Sequence, residues 1–168
     1  MKIPRIALAA YGMAIVVVLL DQISKAWIIS GLQLQEIGRV PVIRPILNFS
    51  WVENTGVSFG LFSGGEARWG LSIFSIIVSI ALGWWALKSQ RRLLISAIGL
   101  VMGGAIGNAI DRVRFGYVVD FIDFSGTGVF PWVFNVADSA ITIGVVLLIL
   151  DTLLSERAAK VGPAAEKS

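Results

Sequence analysis

The chain has 168 residues, of which 56% are hydrophobic and only 15% charged, and its mean hydropathy is +0.81. Soluble domains carry about 25% charged residues, so this composition excludes an ordinary water-soluble globule and fits a small integral membrane protein. Cysteine and histidine are absent and the formal net charge is +3, which excludes disulfides, thiolate nucleophiles, Ser-His-Asp triads and HExxH metal helices. Any catalysis must rest on carboxylates, Lys, Arg, hydroxyls or backbone groups. The basic residues cluster beside hydrophobic runs, which reads as membrane topology and not as nucleic-acid binding.

Four apolar stretches are long enough to cross a bilayer, given about 20 residues at 1.5 Å rise. They run over about Pro4–Ile29, Trp69–Leu87, Leu93–Ile110 and Val136–Leu154. The uninterrupted apolar part of the first, Ile6–Leu20, is too short alone, so this span carries Asp21 and Lys25 near one end. Lys2 and Arg5 ahead of it resemble a secretory signal peptide, but three later spans and no convincing small-residue cleavage site favour a retained helix. The basic turn from Lys88 to Arg92, with Arg157 and Lys160 after the fourth span, predicts a cytoplasmic position for that turn and for both termini. The connections Ser30–Arg68 and Asp111–Val133 then face outside, and residues 1–168 form a single membrane domain.

Within the first outer connection, partial alternation over Leu32–Gln35 and Asn48–Glu53 predicts two short strands, interrupted around Gly38, Pro41 and Pro45. Val57–Phe62 predicts a short helix lying in the membrane interface, with Trp51 and Trp69 as anchors. In the third span Gly99, Gly103 and Gly107 form a GxxxGxxxG row with Gly104 beside it. Such a row admits another backbone closely, either within the monomer or across a dimer. The tail over residues 160–168 is polar and predicted to be mobile. The expected fold is an all-α integral membrane protein with four transmembrane helices, a small extracytoplasmic strand pair and a short interfacial helix.

Carboxylates in or beside spans need a reason, because an ionised side chain at the membrane centre costs about 2.5–3.5 kcal/mol on insertion scales. Antiparallel spans bring Asp21, Asp111, Asp120, Asp123 and Asp138 to one depth at the outer side. Asp151, Glu156 and Glu166 fall at the opposite face and read as solvated helix-end or tail charges. Asp138 stands at the start of the fourth span, where it can cap free N–H groups or serve chemistry. Asp120, flanked by apolar residues, is either a loop carboxylate or its partner. Two carboxylates within hydrogen-bonding distance in a low dielectric share one proton. Such a pair offers a base to activate water and an acid to assist the carbonyl and the leaving amine, without histidine.

Asn108, Asp111 and Arg112 lie on one helical face by their i, i+3, i+4 spacing. Arg112 either orients Asp111 or sets the charge of the pair, or the group is a capped helix end. Asp21 and Lys25 read as a mutually neutralising i,i+4 pair, with Lys25 snorkelling outward. Asn54-Thr55-Gly56 reads as a turn, with the Asn54 amide reaching the pocket in the functional reading.

Taken in order and spacing, Asp21-Gln22-x-x-Lys25, Asn54-Thr55-Gly56, Gly107-Asn108-x-x-Asp111-Arg112, Val119-Asp120-Phe121-Ile122 and Phe134-Asn135-x-Ala137-Asp138-Ser139-Ala140 resemble the motifs of bacterial lipoprotein signal peptidase, or signal peptidase II. The resemblance covers about Asp21–Asp151. It implies an aspartic endopeptidase of the bacterial inner membrane, with its site near the periplasmic face, that cuts diacylglyceryl-modified prolipoproteins before the lipidated cysteine. Asp120 and Asp138 match the catalytic dyad. Asn54, Asn108, Arg112 and Asn135 match pocket-lining residues, and Asp21, Lys25 and Asp111 match supporting ones, with Gly56 carried by the Asn54 motif. The outer strands and interfacial helix resemble that family's β-cradle and periplasmic helix. Val57-Ser58 departs from the small residues more usual there.

The same resemblance implies no metal or organic cofactor and sensitivity to globomycin-type inhibitors. The expected partners are prolipoprotein signal peptides and membrane lipid, with no nucleic acid, and the expected state is a monomer. The competing readings are a small proton-coupled transporter, which favours acids near mid-membrane and a path to both faces, and a structural or chaperone-like subunit. A peptidase pairing Ser24 or Ser139 with Lys25 is a weaker enzyme alternative, since Ser24 and Lys25 project in different directions on a helix.

Overall fold

The computed structural model describes residues 4–56 and 66–161. The interfacial helix expected over Val57–Phe62 and the tail beyond Val161 lie outside those residues. The long helices are α1 (Arg5–Ala26), which continues through a π-helical turn at Trp27–Gly31, α3 (Glu66–Lys88), α4 (Arg92–Phe115) and α5 (Val136–Val161). All four are long and apolar enough to cross a membrane. Between α1 and α3 lie a short helix α2 (Leu34–Ile37) and the strands β1 (Arg39–Ile43) and β2 (Leu47–Asn54); β3 (Val118–Asp123) and β4 (Val133–Phe134) lie between α4 and α5.

The helices pack around α4, whose apolar stretch is 72% buried while those of the other three are 22–28% buried. Its composition explains the central place. Gly99 and Gly103 bring its backbone against α1, where an added Cβ at Gly103 would stand 2.8 Å from the Ala14 carbonyl oxygen and 2.6 Å from the Val17 Cβ. Gly104, on the next face, sits directly against the Ala137 carbonyl of α5. The glycine row thus packs helices within the chain. Ala7, Ala10 and Ala14 on α1 meet Leu94, Ile98 and Met102 on α4 in the inner core. The outward faces carry Ile15 and Leu19, Phe74 and Ile77, and Val146 and Ile149, all exposed. Such surfaces are a liability in water and the normal exterior of a bundle in lipid.

A four-stranded antiparallel sheet of order β1-β2-β3-β4 caps one end of the bundle. Its inner face contributes Val119 and Phe121 to a second core with Ile28 and Leu34. Leu32–Gln35, expected as a strand, instead belongs to the irregular turn and α2, which buries Leu34 fully in that core and packs Leu32 against its edge. The strand that pairs with β2 begins later, at Arg39, and accommodates Pro41 on the sheet edge, where no ladder partner is needed on the outer side. Between Phe49↔Ile122 and Val52↔Asp120, β2 uses one residue more than β3. This bulge re-aims the end of β2, which carries Asn54, toward Asp120.

At the opposite end, Asp151 departs from its expected solvation: it is 5% exposed and ion-paired with Arg91 Nη2 at 2.9 Å. The basic turn folds back on α5 and supplies the charge that makes burial tolerable. Glu156 is exposed, as its place in the last turns predicts.

Gly103→Ala should destabilise the protein by about 1–3 kcal/mol, since backbone on the α1 side cannot yield to the added methyl. Gly12→Ala, at an exposed helical position with nothing within 4 Å, should leave stability unchanged or slightly higher. Thermal unfolding of the detergent-solubilised pair checks the contrast.

Candidate active site

The polar groups gather where α1, α4 and α5 meet the sheet. Helix α4 runs on to Phe115, beyond the Ile110 boundary expected from hydropathy, so Asp111 and Arg112 are helical residues. Lys25 does not snorkel. It is 2% exposed, and its ammonium lies 2.8 Å from Asp21 Oδ2 and 2.7 Å from Asp111 Oδ2. Two buried carboxylates on different helices hold it inward, which no exposed position would match. Asp111 is therefore neutralised by Lys25 and not by Arg112. The remaining acceptor capacity is also used: Asp21 Oδ1 accepts from the Ala137 N–H at 3.0 Å, and Asp111 Oδ2 from the Val119 N–H at 3.1 Å. Gln22 Nε2 donates to Asp111 Oδ1 at 2.9 Å. Gln22 has no role legible in the sequence beyond its place next to Asp21.

Lys25 also donates to Asn108 Oδ1 at 3.3 Å. With the Asn108 oxygen engaged by Lys25 and by Asn135 Nδ2 (3.3 Å), its amide nitrogen faces the other way and donates to Asp138 Oδ1 at 2.8 Å. Asn135 precedes α5 and Asp138 stands three residues on. The Asp138 N–H donates to Asn135 Oδ1 at 2.8 Å, and the Asn135 N–H donates to Asp138 Oδ2 at 3.2 Å, a reciprocal capping box. The capping role weighed for Asp138 thus occupies one of its oxygens while Asn108 holds the other.

Asp120 sits on β3, opposite Val52, and is 1% exposed. Asn135 Nδ2 donates to its Oδ1 at 2.7 Å and Asn54 Nδ2 to its Oδ2 at 2.9 Å. Burial, followed by the charge of Asp138, pushes the Asp120 carboxyl from its ordinary 3.8 up to about 7, against the opposing pull of the Asn54 and Asn135 hydrogen bonds. Asn135 touches both acids and fixes their relative placement. Asn54 is itself set by the turn it begins, since its Oδ1 accepts the Gly56 N–H at 2.8 Å. Gly56 has φ of +74°, and a Cβ there would meet Leu71 and approach Arg112 Nη2 at 3.5 Å. Only glycine suits that combination of backbone and space. The Arg112 Nε is buried and has no hydrogen-bond partner among the described residues.

The structure therefore brings Asp21, Lys25, Asn54, Asn108, Asp111, Asp120, Asn135 and Asp138 into one hydrogen-bonded network, with Gly56 and Arg112 at its edge. Asp123 is separate: it accepts from Ser50 Oγ and the Ser125 N–H and pairs with Arg39. Burial favours its neutral form, but those hydrogen bonds and Arg39 outweigh it and hold the carboxyl below its ordinary value. Asp120 opens on a cavity of about 550 Å³ lined by Asn54, Gly56, Trp132 and Val133 among others. Among the described residues, no three acidic side chains are placed to hold a metal ion.

Lys25→Met should cost about 3–5 kcal/mol, because it strands Asp21 and Asp111 as buried charges; a small change in the unfolding midpoint would contradict the geometry. The raised Asp120 carboxyl predicts a second effect. The folded state binds its proton more tightly than the unfolded chain, so the stability it contributes is complete below pH 3.8 and is lost as pH rises to about 7. Unfolding midpoints across that range should fall for the native chain and flatten in Asp120→Asn.

A family model described as signal peptidase (SPase) II matches residues 13–154. The chain is 51% identical over 158 residues to a lipoprotein signal peptidase of Caulobacter vibrioides, covering 93% of each, and 44% identical over 147 residues to one of Rhizorhabdus wittichii, covering 86% of this chain and 85% of that one. A solved structure described as a bacterial membrane enzyme, determined by the in meso method at 2.3 Å resolution, superposes with TM-score 0.74 at 37% identity over 90% of both chains. With a family match over most of its length and a relative 51% identical over 93% of each chain, this chain belongs to the signal peptidase II family.

Proposed function

We propose that this chain is an aspartic endopeptidase that removes signal peptides from diacylglyceryl-modified prolipoproteins, with Asp120 and Asp138 as its catalytic pair. The observation that carries the reading is that Asp120, which is buried, and Asp138 are aimed by one side chain, Asn135, which donates to Asp120 Oδ1 at 2.7 Å and accepts the Asp138 N–H at 2.8 Å. Such a pair keeps one proton near neutral pH. One carboxylate takes a proton from water as its oxygen attacks the scissile carbonyl carbon. The protonated acid donates to the carbonyl oxygen, and the amine leaves with a proton as the tetrahedral species collapses. Neither step asks for a nucleophilic side chain.

In this reading the asparagines position the acids and Lys25 positions Asn108, while Arg112 and the Asn54 turn line the substrate pocket. The whole chain acts as a single unit of the bacterial inner membrane, with the sheet on the periplasmic side and both termini in the cytoplasm. A signal peptide reaches the site laterally from the bilayer, and water arrives from the sheet end. Globomycin-type compounds would occupy the same pocket. The transporter reading is disfavoured by the placement of Asp21, Asp111, Asp120, Asp123 and Asp138 together at one end of the bundle, away from its apolar middle.

Asp120→Asn and Asp138→Asn should each lower cleavage of a purified lipidated precursor by about 10²–10⁴-fold or more while the protein still accumulates. Asp123→Asn should keep most activity. Robust turnover by either dyad variant, followed by release of the signal peptide on a gel, would remove the aspartic mechanism.

A further inference from the structure

The far end of the sheet carries charge that the chemistry proposed above does not use. A cavity of about 440 Å³ lies between the β1–β2 hairpin and the loop after β3, lined by Arg39, Pro41, Arg44, Pro45, Asn48 and Gly126. Gly126 packs against the Pro45 carbonyl, so the loop closes one wall. Asn48 is 7% exposed, and its Nδ2 faces that wall, 3.5 Å from the place of an added Gly126 Cβ. Arg39 is fixed through one nitrogen: Nη2 pairs with Asp123 Oδ2 at 3.2 Å and donates to Ser125 Oγ at 3.4 Å. A guanidinium has donors on all three nitrogens, so Nε and Nη1 remain for a ligand. Arg44 has no ion pair among the described residues. Two guanidinium groups against the single carboxylate of Asp123 leave one positive charge, and no acid lines the cavity. Asn48 and Asn54 stand near opposite ends of β2, about 20 Å apart at about 3.3 Å per residue, so this cavity is remote from Asp120.

We infer that the hairpin cavity binds the phosphodiester headgroup of an anionic phospholipid, with Arg39, Arg44 and the Asn48 amide as its donors. The surroundings set the depth. Trp27, half exposed where the first span meets the sheet, stands edge to face with Phe49 of β2 at 5.8 Å. Tryptophan is favoured where a span reaches the headgroups, which puts the adjoining hairpin at that level. Val42, Ile43 and Ile46 flank Arg44 and are 46%, 54% and 48% exposed. A site for a soluble anion gains nothing from this apolar tip, whereas at a bilayer surface the tip enters the acyl boundary and holds Arg39 and Arg44 among the phosphates. The surplus positive charge selects a headgroup of net negative charge over a zwitterionic one. Asp123 keeps Arg39 in place without cancelling Arg44. The sheet is thereby tied to the membrane by a lipid as well as by the helices it caps.

The test is equilibrium lipid binding to the detergent-solubilised full-length protein, read by native mass spectrometry with phosphatidylglycerol and phosphatidylcholine of the same acyl chains. The native chain should hold one phosphatidylglycerol at least about fivefold more tightly than phosphatidylcholine, the contribution of about one basic residue at a membrane surface. Arg44→Gln should erase most of that preference and leave phosphatidylcholine binding unchanged. Arg39→Gln should do the same, and it is the variant to read if Arg44→Gln does not accumulate. Arg92→Gln, an equal loss of charge at an exposed position on the opposite end of the bundle, should keep the preference. Equal affinity for the two lipids, or an equal loss in Arg92→Gln, overturns the proposal. Displacement of the lipid by inorganic phosphate at matched concentration would assign the cavity to a soluble anion and overturns it as well. Binding is read without turnover, so the result stands apart from the peptidase reading.

Discussion

A single ammonium group, that of Lys25, ties three helices together where an apolar bundle has least reason to hold charge. It bridges Asp21 on its own helix and Asp111 on α4. Asp21 in turn accepts the backbone N–H of Ala137 at the start of α5. Two carboxylates and one ammonium leave a net negative charge, which is spread over the hydrogen bonds from Gln22, Val119 and Ala137. Removing Lys25 would leave two buried carboxylates without a cation, so the arrangement is more costly to break than its pairs are to form. The glycines of α4 make it geometrically available, since Gly107 leaves room for the Asp21 carboxylate, which would lie 2.7 Å from an added Cβ.

The influence of that ammonium extends outward through amide orientation. Lys25 engages the oxygen of Asn108, so the nitrogen of the same amide must face Asp138. Asn135 repeats the device: its oxygen receives the Asp138 N–H and its nitrogen meets Asp120. An amide has one donor end and one acceptor end, so fixing either end fixes both. Two acids separated by 18 positions in sequence are thereby aimed without a salt bridge of their own among the described residues. The absence of a direct counter-ion on Asp120 lets burial and its neighbour raise it to about 7.

The sheet completes the site from the other side. The β2 bulge carries Asn54 to Asp120, and the short β4 divides the space above the helices into a polar and an apolar compartment. The hydrogen-bonded network of acids and asparagines thus lies at the end of the bundle, between the helices and the sheet.

The sequence by itself determined the four spans, because hydropathy over about 20 residues is a property of composition alone, and it identified the acids and asparagines through motifs that survive without coordinates. The glycine row announced close helix packing, and the stretch Asn48–Glu53 announced a strand. What only the tertiary structure decided was direction and partnership. Lys25 turns inward because Asp111, 86 positions away in sequence, completes its neutralisation, and Asp151 is buried because Arg91 folds onto it. Leu32–Gln35 lost its strand because Leu34 is drawn into a core made with β3, and β3 and β4 were invisible because their pattern is set by the neighbours they pair with. Local periodicity reports which side chains avoid water; which charge meets which is fixed only when distant segments are brought within reach of one another.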